Sequence, residues 1–282
     1  MQTPAPEIQP QPQTQALSIV TDRINAERMV LLGWSRAILL QMAHPLVAAG
    51  VDAHSSFRGG PFTAFHRLHG TVRAMRSIAF GDSDARAATI AAIRRIHDRV
   101  NGRLADAAGP WPAGTPYTAH DPALLVWVHC TLIESVVLAY ERLVHPLSEA
   151  DKDTYCLESA PVAVQLGARE EQVPQSWKAV TRHMEQELAS GRIVVTDAGK
   201  RIARAVLHPP LAFLTWPFGA MNRVITVGLL PDQVRAQFGY EWTDRDEARF
   251  RRALRWLRRA RAWLPPHVTW WPEARSRLRR SG

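Results

Sequence analysis

The stretch from Asp121 to His145 constrains the fold more than any other part of the chain. Asp121 can cap a helix, and Pro122 suits the first helical position, where its missing N–H costs nothing. Leu125, Val128, Leu132, Val136, Ala139 and Leu143 then recur at helical spacing. A helix this long and apolar either crosses a membrane or fills the centre of a helical protein. Glu134 decides between them, because a carboxylate near mid-bilayer is costly. The helix is therefore expected in a core, with His129 and Glu134 as its polar interruptions.

The remaining segments read as helices that would surround it. Ala16 to Ala26 is short, and Met29 to His44 is apolar nearly all round, hence buried. His44-Pro45 marks a bend before Val47 to Phe57, and helix signals resume from Thr63 to Phe80. Asp82 or Ser83 caps a helix whose apolar stripe is Ile90, Ile93, His97, Val100 and Leu104, with Arg94, Arg95, Asp98 and Arg99 on the solvated side. Ser148 starts another helix that Gly167 ends, and Pro174 to Ala189 and Thr196 to Leu207 follow. Leu211 to Leu230 is as long as a membrane span, but Pro217, Asn222 and Arg223 point to a buried, kinked helix pair. Pro231 to Phe238 is a short helix, and Thr243 or Asp244 caps a last long one with Phe250, Leu254, Leu257 and Leu264 inward. Period-two alternation, hairpin signals and internal repeats are not apparent. The expectation is an all-α chain with a single helical domain of nine to eleven helices over residues 16–264. The Pro/Gln-rich Met1 to Gln15 reads as a disordered tail and residues 265–282 as a basic one.

The net charge of +9 is unevenly placed: residues 244–282 hold twelve Arg against four Asp or Glu, a net of +8. The basic character thus belongs to the C-terminal segment, where Trp256, Trp263, Trp270 and Trp271 accompany it. That combination reads either as a solvated helix face or as peripheral contact with an anionic membrane. Nucleic acid is not expected as a partner, since no recognition motif accompanies the charge. Met1 to Gln15 lacks the pattern of a signal peptide, and Cys130 and Cys156 form no framework, so a cytoplasmic setting is expected.

Glu-x-x-His pairs, HExxH, GxSxG, a Walker loop and GxGxxG are all missing, which removes the commonest metal-dependent, hydrolytic and nucleotide chemistries. What stands out is His97 on an apolar stripe. Such a histidine is either a satisfied core residue or a ligand, and the residues alone leave both open. Arg67 and Thr71, four apart, share a helix face and could meet an anionic group. His129 could line a pocket, hydrogen-bond in the core or serve as a ligand. Cys130 reads as an inert core residue.

Trp34 to Gly167 resembles the haem-b oxygenases that include the latex-clearing rubber oxygenases and the fungal MpaB-type oxygenases. The likeness is carried by Ala43-His44-Pro45 with Gly50 and Ser55, then Arg67-x-x-x-Thr71, Gly81 and His97. Gly114-Thr-Pro-Tyr117, Asp121-Pro122, Trp127-Val-His129 and Tyr140-Glu141 continue it. It implies a globin-like fold around a central pocket for one non-covalent haem b. It implies His97 as the proximal iron ligand, with Arg67 and Thr71 in or beside the pocket. The implied reaction is dioxygen-dependent oxidation of an apolar substrate, which in rubber oxygenases is cleavage of an isoprenoid C=C bond.

The chain departs from that pattern at Gly70, where rubber oxygenases carry a lysine able to act as a distal haem ligand. Their acidic base has Asp52 and His54 as its nearest candidates here. A cytoplasmic setting favours a small lipid or terpenoid over extracellular polymer. Two other readings stay open on the residues: a non-enzymatic helical lipid- or terpenoid-binding protein, and a haem carrier or sensor.

Overall fold

The computed structural model describes residues 19–54, 61–208 and 216–278, with the side chains of 19, 61–69, 216–218 and 277–278 left aside. Met1 to Gln15 therefore lies outside the described residues.

Helix α6 (Pro122–Leu143) stands at the centre, as its sequence demands. Asp121 caps it by accepting the Ala123 and Leu124 amides at 2.8 and 3.4 Å. It is long and apolar enough to cross a membrane, yet most of its residues are buried inside the protein. Its main partner is α2 (Leu31–Met42). The two approach so closely that a Cβ at Gly33 would collide with the Ser135 carbonyl oxygen and lie 2.8 Å from Ala139 Cβ. Glycine is required there by backbone proximity. Arg36, 2% exposed, locks the pair. Its guanidinium donates to Glu134 Oε2 at 2.9 Å, Ser135 Oγ at 2.7 Å and the Leu229 carbonyl at 2.7 Å.

The expected bend at His44-Pro45 is present: α3 (Pro45–His54) turns away from the Arg28–Met42 segment by 102°. His44 Nδ1 holds the corner by accepting the Leu46 amide at 3.3 Å. Helices α4 (Pro61–Phe80) and α5 (Ser83–His97) form a hairpin over one side of the core. Asp82 caps α5 through the Ala85 amide at 2.8 Å. Helix α7 (Glu149–Leu166) is capped by Ser148 and ends at Gly167, whose φ of +116° lets the chain reverse there. Helix α8 (Trp177–Ala189) packs on α6 and α7, and α9 (Asp197–Leu207) on α2 and α3. Then follow α10 (Trp216–Gly228), α11 (Asp232–Gln237), α12 (Asp244–Trp263), α13 (Pro266–Thr269) and α14 (Pro272–Leu278). The α1 helix (Ile19–Ala26) packs on α14 and α7.

The fold is all-α, with fourteen α-helices among the described residues. The short helix expected over Pro231 to Phe238 is α11, whereas α13 and α14, of four and seven residues, fall where no helix was expected. Four further differences have local causes. The hairpin of β1 (Asn101–Arg103) and β2 (Pro116–Thr118) was not expected, because three-residue strands are too short to show alternation. It ends α5 at His97, so Val100 and Leu104 are not on the same helix as Ile90. Leu264, expected inward, is 44% exposed, because α12 stops at Trp263 and Pro265 continues extended. Residues 265–278, read as a tail, fold back on the start of the chain. Of the kinked pair expected over Leu211 to Leu230, residues 211–215 lie outside the described residues, and the rest is α10 and the turn after it.

Candidate functional site

A cavity of about 180 Å³ lies between α1, α4, α6 and α7. Its walls are apolar where α4 contributes Ile78 and Phe80 and α6 contributes Leu132, Ile133 and Val136. Arg76, Arg86, Asp22 and Glu158 supply charge around it, and Trp271 reaches in from the far end of the chain. The Trp271 ring is flanked by the guanidinium groups of Arg28 at 5.2 Å and Arg76 at 4.7 Å, a cation–π arrangement.

His129 lines this cavity from the middle of α6. It is 7% exposed, and burial lowers its pKa to about 4, so the ring is uncharged at neutral pH. Its Nε2 is buried without a partner among the described residues, as is Trp34 Nε1 in the same wall. A buried polar atom left unpaired costs free energy and marks a place where a ligand or water belongs. Cys130, next along the helix, has its thiol pushed far up by burial and is not a thiolate.

His97 occupies a different place. It ends α5, while Arg86 near the start of that helix lines the cavity, so the two lie about 16 Å apart along the helix axis. The ring is half-buried and meets the edge of the His120 ring at a centroid distance of 5.9 Å. His120 in turn donates to Asp98 at 2.8 Å. Burial first and the neighbouring His120 second lower the His97 pKa, so this imidazole too is uncharged at neutral pH. Its Nδ1 is buried and has no partner among the described residues. His97 lines neither this cavity nor a second one of about 620 Å³ walled by residues such as Leu207, Val224, Val227 and Trp242.

The other expected residues divide as follows. The Arg67 side chain lies outside the described residues. Thr71 is exposed and does not reach the cavity. At Gly70 a Cβ would meet nothing within 4 Å, so packing does not demand glycine there. Asp52 is held by Arg201 at 2.8 Å, and His54 donates from Nε2 to the Asn101 carbonyl at 2.9 Å. Both have structural partners. Trp271 and Arg86 were not foreseen as neighbours of His129: they are remote in sequence, and no local pattern announces them.

A haem requires an uncharged imidazole nitrogen free to bind iron and an apolar setting. His97 and His129 each offer a buried, unpartnered nitrogen, so the donor chemistry fits. The volume beside His129 does not, since about 180 Å³ is below the roughly 300–1,000 Å³ of pockets that enclose drug-sized ligands.

Among known families, the model described as "ER-bound oxygenase mpaB/B'/Rubber oxygenase, catalytic domain" matches residues 22–259. Two uncharacterized proteins, Mb2261 of Mycobacterium bovis and Rv2237 of Mycobacterium tuberculosis, are similar. Each is 28% identical over 239 residues, covering 83% of this chain and 89% of the relative. No solved structure matches.

Proposed function

Because the chain belongs to the family of the mpaB and rubber oxygenase catalytic domain, an oxidoreductase family, we propose that it is a haem-b-dependent oxygenase acting on an apolar small molecule. The substrate class is isoprenoid or lipid-like, and dioxygen is the co-substrate. The observation that carries the reading is the pair of uncharged histidines, His97 and His129, each with a buried nitrogen that no side chain or backbone group among the described residues satisfies.

In this reading His97 holds the iron, and the small cavity at His129 receives the substrate rather than the macrocycle. Bound haem b supplies the dioxygen-activating chemistry. The chain supplies the rest. Leu132, Ile133 and Val136 bury the apolar part of the substrate and exclude water. His129, kept neutral by its surroundings, can donate or accept one hydrogen bond at Nε2 and so orient an oxygen-bearing group. Arg67 and Thr71, one face of α4, are assigned to the cofactor side, where a guanidinium suits a propionate. The small volume at His129 speaks against a macrocycle there. Only a different finding, that His129 is itself the iron ligand, would exchange the two roles.

The test is the absorption spectrum of the purified protein reconstituted with haem. A Soret shift in the wild type that His97→Ala abolishes and His129→Ala preserves is the expected result. Loss of the band in His129→Ala alone would make His129 the ligand. A wild type that leaves the haem spectrum unchanged would overturn haem dependence altogether.

A further inference from the structure

Helix α12 has two unlike faces. Phe250, Ala253, Leu254 and Leu257 are buried, and Arg261 turns inward to Glu27. The opposite ridge is Arg252, Trp256, Arg259 and Trp263, spaced four, three and four residues apart and all exposed. Trp256 is 58% and Trp263 88% exposed. Leu264 and Val268, just beyond the helix, are 44% and 41% exposed and extend the apolar part of this surface.

The charge on this face is uncompensated. All three acids of α12 lie in its first turn, at Asp244, Asp246 and Glu247, and Asp246 and Glu247 pair with Arg249 and Arg251. Arg252, Arg255, Arg258 and Arg259 have no carboxylate partner among the described residues. Large aromatic side chains gathered in water on one face are unusual for a surface that stays bare. Indole rings settle at the boundary between headgroups and acyl chains, and arginines settle among anionic headgroups.

We propose that the outer ridge of α12, with Leu264 and Val268, docks on the surface of a bilayer containing anionic lipid. A second copy of the chain suits this face poorly, since a two-fold contact would set arginine against arginine. The position of the ridge gives the docking a use. Between Trp263, which points outward, and Trp271, which lines the cavity, the chain crosses from the docking face to the candidate substrate pocket. An apolar molecule leaving the bilayer would meet the segment that closes that pocket. The docking itself does not depend on the oxygenase reading.

The full-length protein is to be sedimented with vesicles of phosphatidylcholine alone and of phosphatidylcholine mixed with phosphatidylserine. Binding is expected to the mixed vesicles only and to fall as salt is raised, each arginine at the surface contributing roughly fivefold. Trp256→Ser combined with Trp263→Ser should weaken it by about tenfold or more, with an unchanged melting temperature because both side chains are exposed. Arg252→Gln with Arg259→Gln should remove much of the salt sensitivity. Equal binding to neutral vesicles, no binding, or an unaffected tryptophan variant would overturn the proposal. So would a dimer in solution that disappears with the two tryptophans, or tighter capture of nucleic acid that survives their loss.

Discussion

The α2–α6 pair and the α4–α5 hairpin are built on opposite plans. Along α6 most side chains are buried, and α2 meets it at backbone distance with a charged clamp between them. On α5, by contrast, Ile90 is the single buried residue. The first region is over-determined: packing, a glycine contact and hydrogen bonds all fix the same arrangement. The second covers the cavity and carries Arg86 and His97 with few apolar contacts to hold it. Sites that admit ligands are drawn from such thinly packed elements, because a wall that opens cannot also be the core.

Three measurements can break or sharpen that contrast. The largest effect is expected from Arg36→Ala, which strips partners from Glu134, Ser135 and the Leu229 carbonyl at once. Chemical unfolding should show a loss of about 3–5 kcal/mol, as for one partner of a buried ion pair.

Acid comes next and acts on the packed region. His44 and His129 have folded pKa values lowered to about 4 by burial, against 6.5 when exposed. A lowered histidine pKa means that the unfolded chain takes up protons first. Stability is therefore full above about pH 6.5 and falls as the pH drops toward 4, by up to about 3 kcal/mol for each ring. Thermal melts across that window should follow this slope, and His129→Leu should remove about half of it, leaving the part due to His44.

The smallest effect is expected in the hairpin. Asp82→Ala removes the cap of α5 and should cost about 1 kcal/mol. Hydrogen exchange should speed up in α5 while amides of α2 and α6 keep their protection. If instead every helix exchanged faster together, the two regions would form one cooperative unit and the contrast would be lost.

Much of the scaffold could be read in advance because its determinants are local. Asp121-Pro122, Ser148, Gly167 and Thr243 announce helix ends through hydrogen bonds made within a few residues, and the structure has all four. The corner at His44-Pro45 is likewise a neighbour effect. The cavity was legible only from one side. His129 was visible as a polar break in an apolar helix, but Arg86, Trp34 and Trp271 reach it through tertiary packing that no periodicity encodes. The apolar stripe ran on to Leu104 because spacing alone does not reveal that a two-stranded hairpin takes over after His97. Family likeness adds what the residues alone left open, that the chain belongs with oxygenases.

The Glu27 carboxylate, 2% exposed, is held by the indole of Trp270 and the guanidinium of Arg261. Trp271 closes the same junction by donating its amide to the Ala26 carbonyl at 3.0 Å. A ribosome delivers Glu27 well before these partners, which follow it by 234 and 243 residues. Until they emerge, the nascent chain must keep that anion hydrated, so α1 cannot settle into its final place before then. Completion of the cavity wall is thereby deferred until Trp271 has emerged, and a chain truncated shortly before Trp270 would have its core assembled but its pocket never shut.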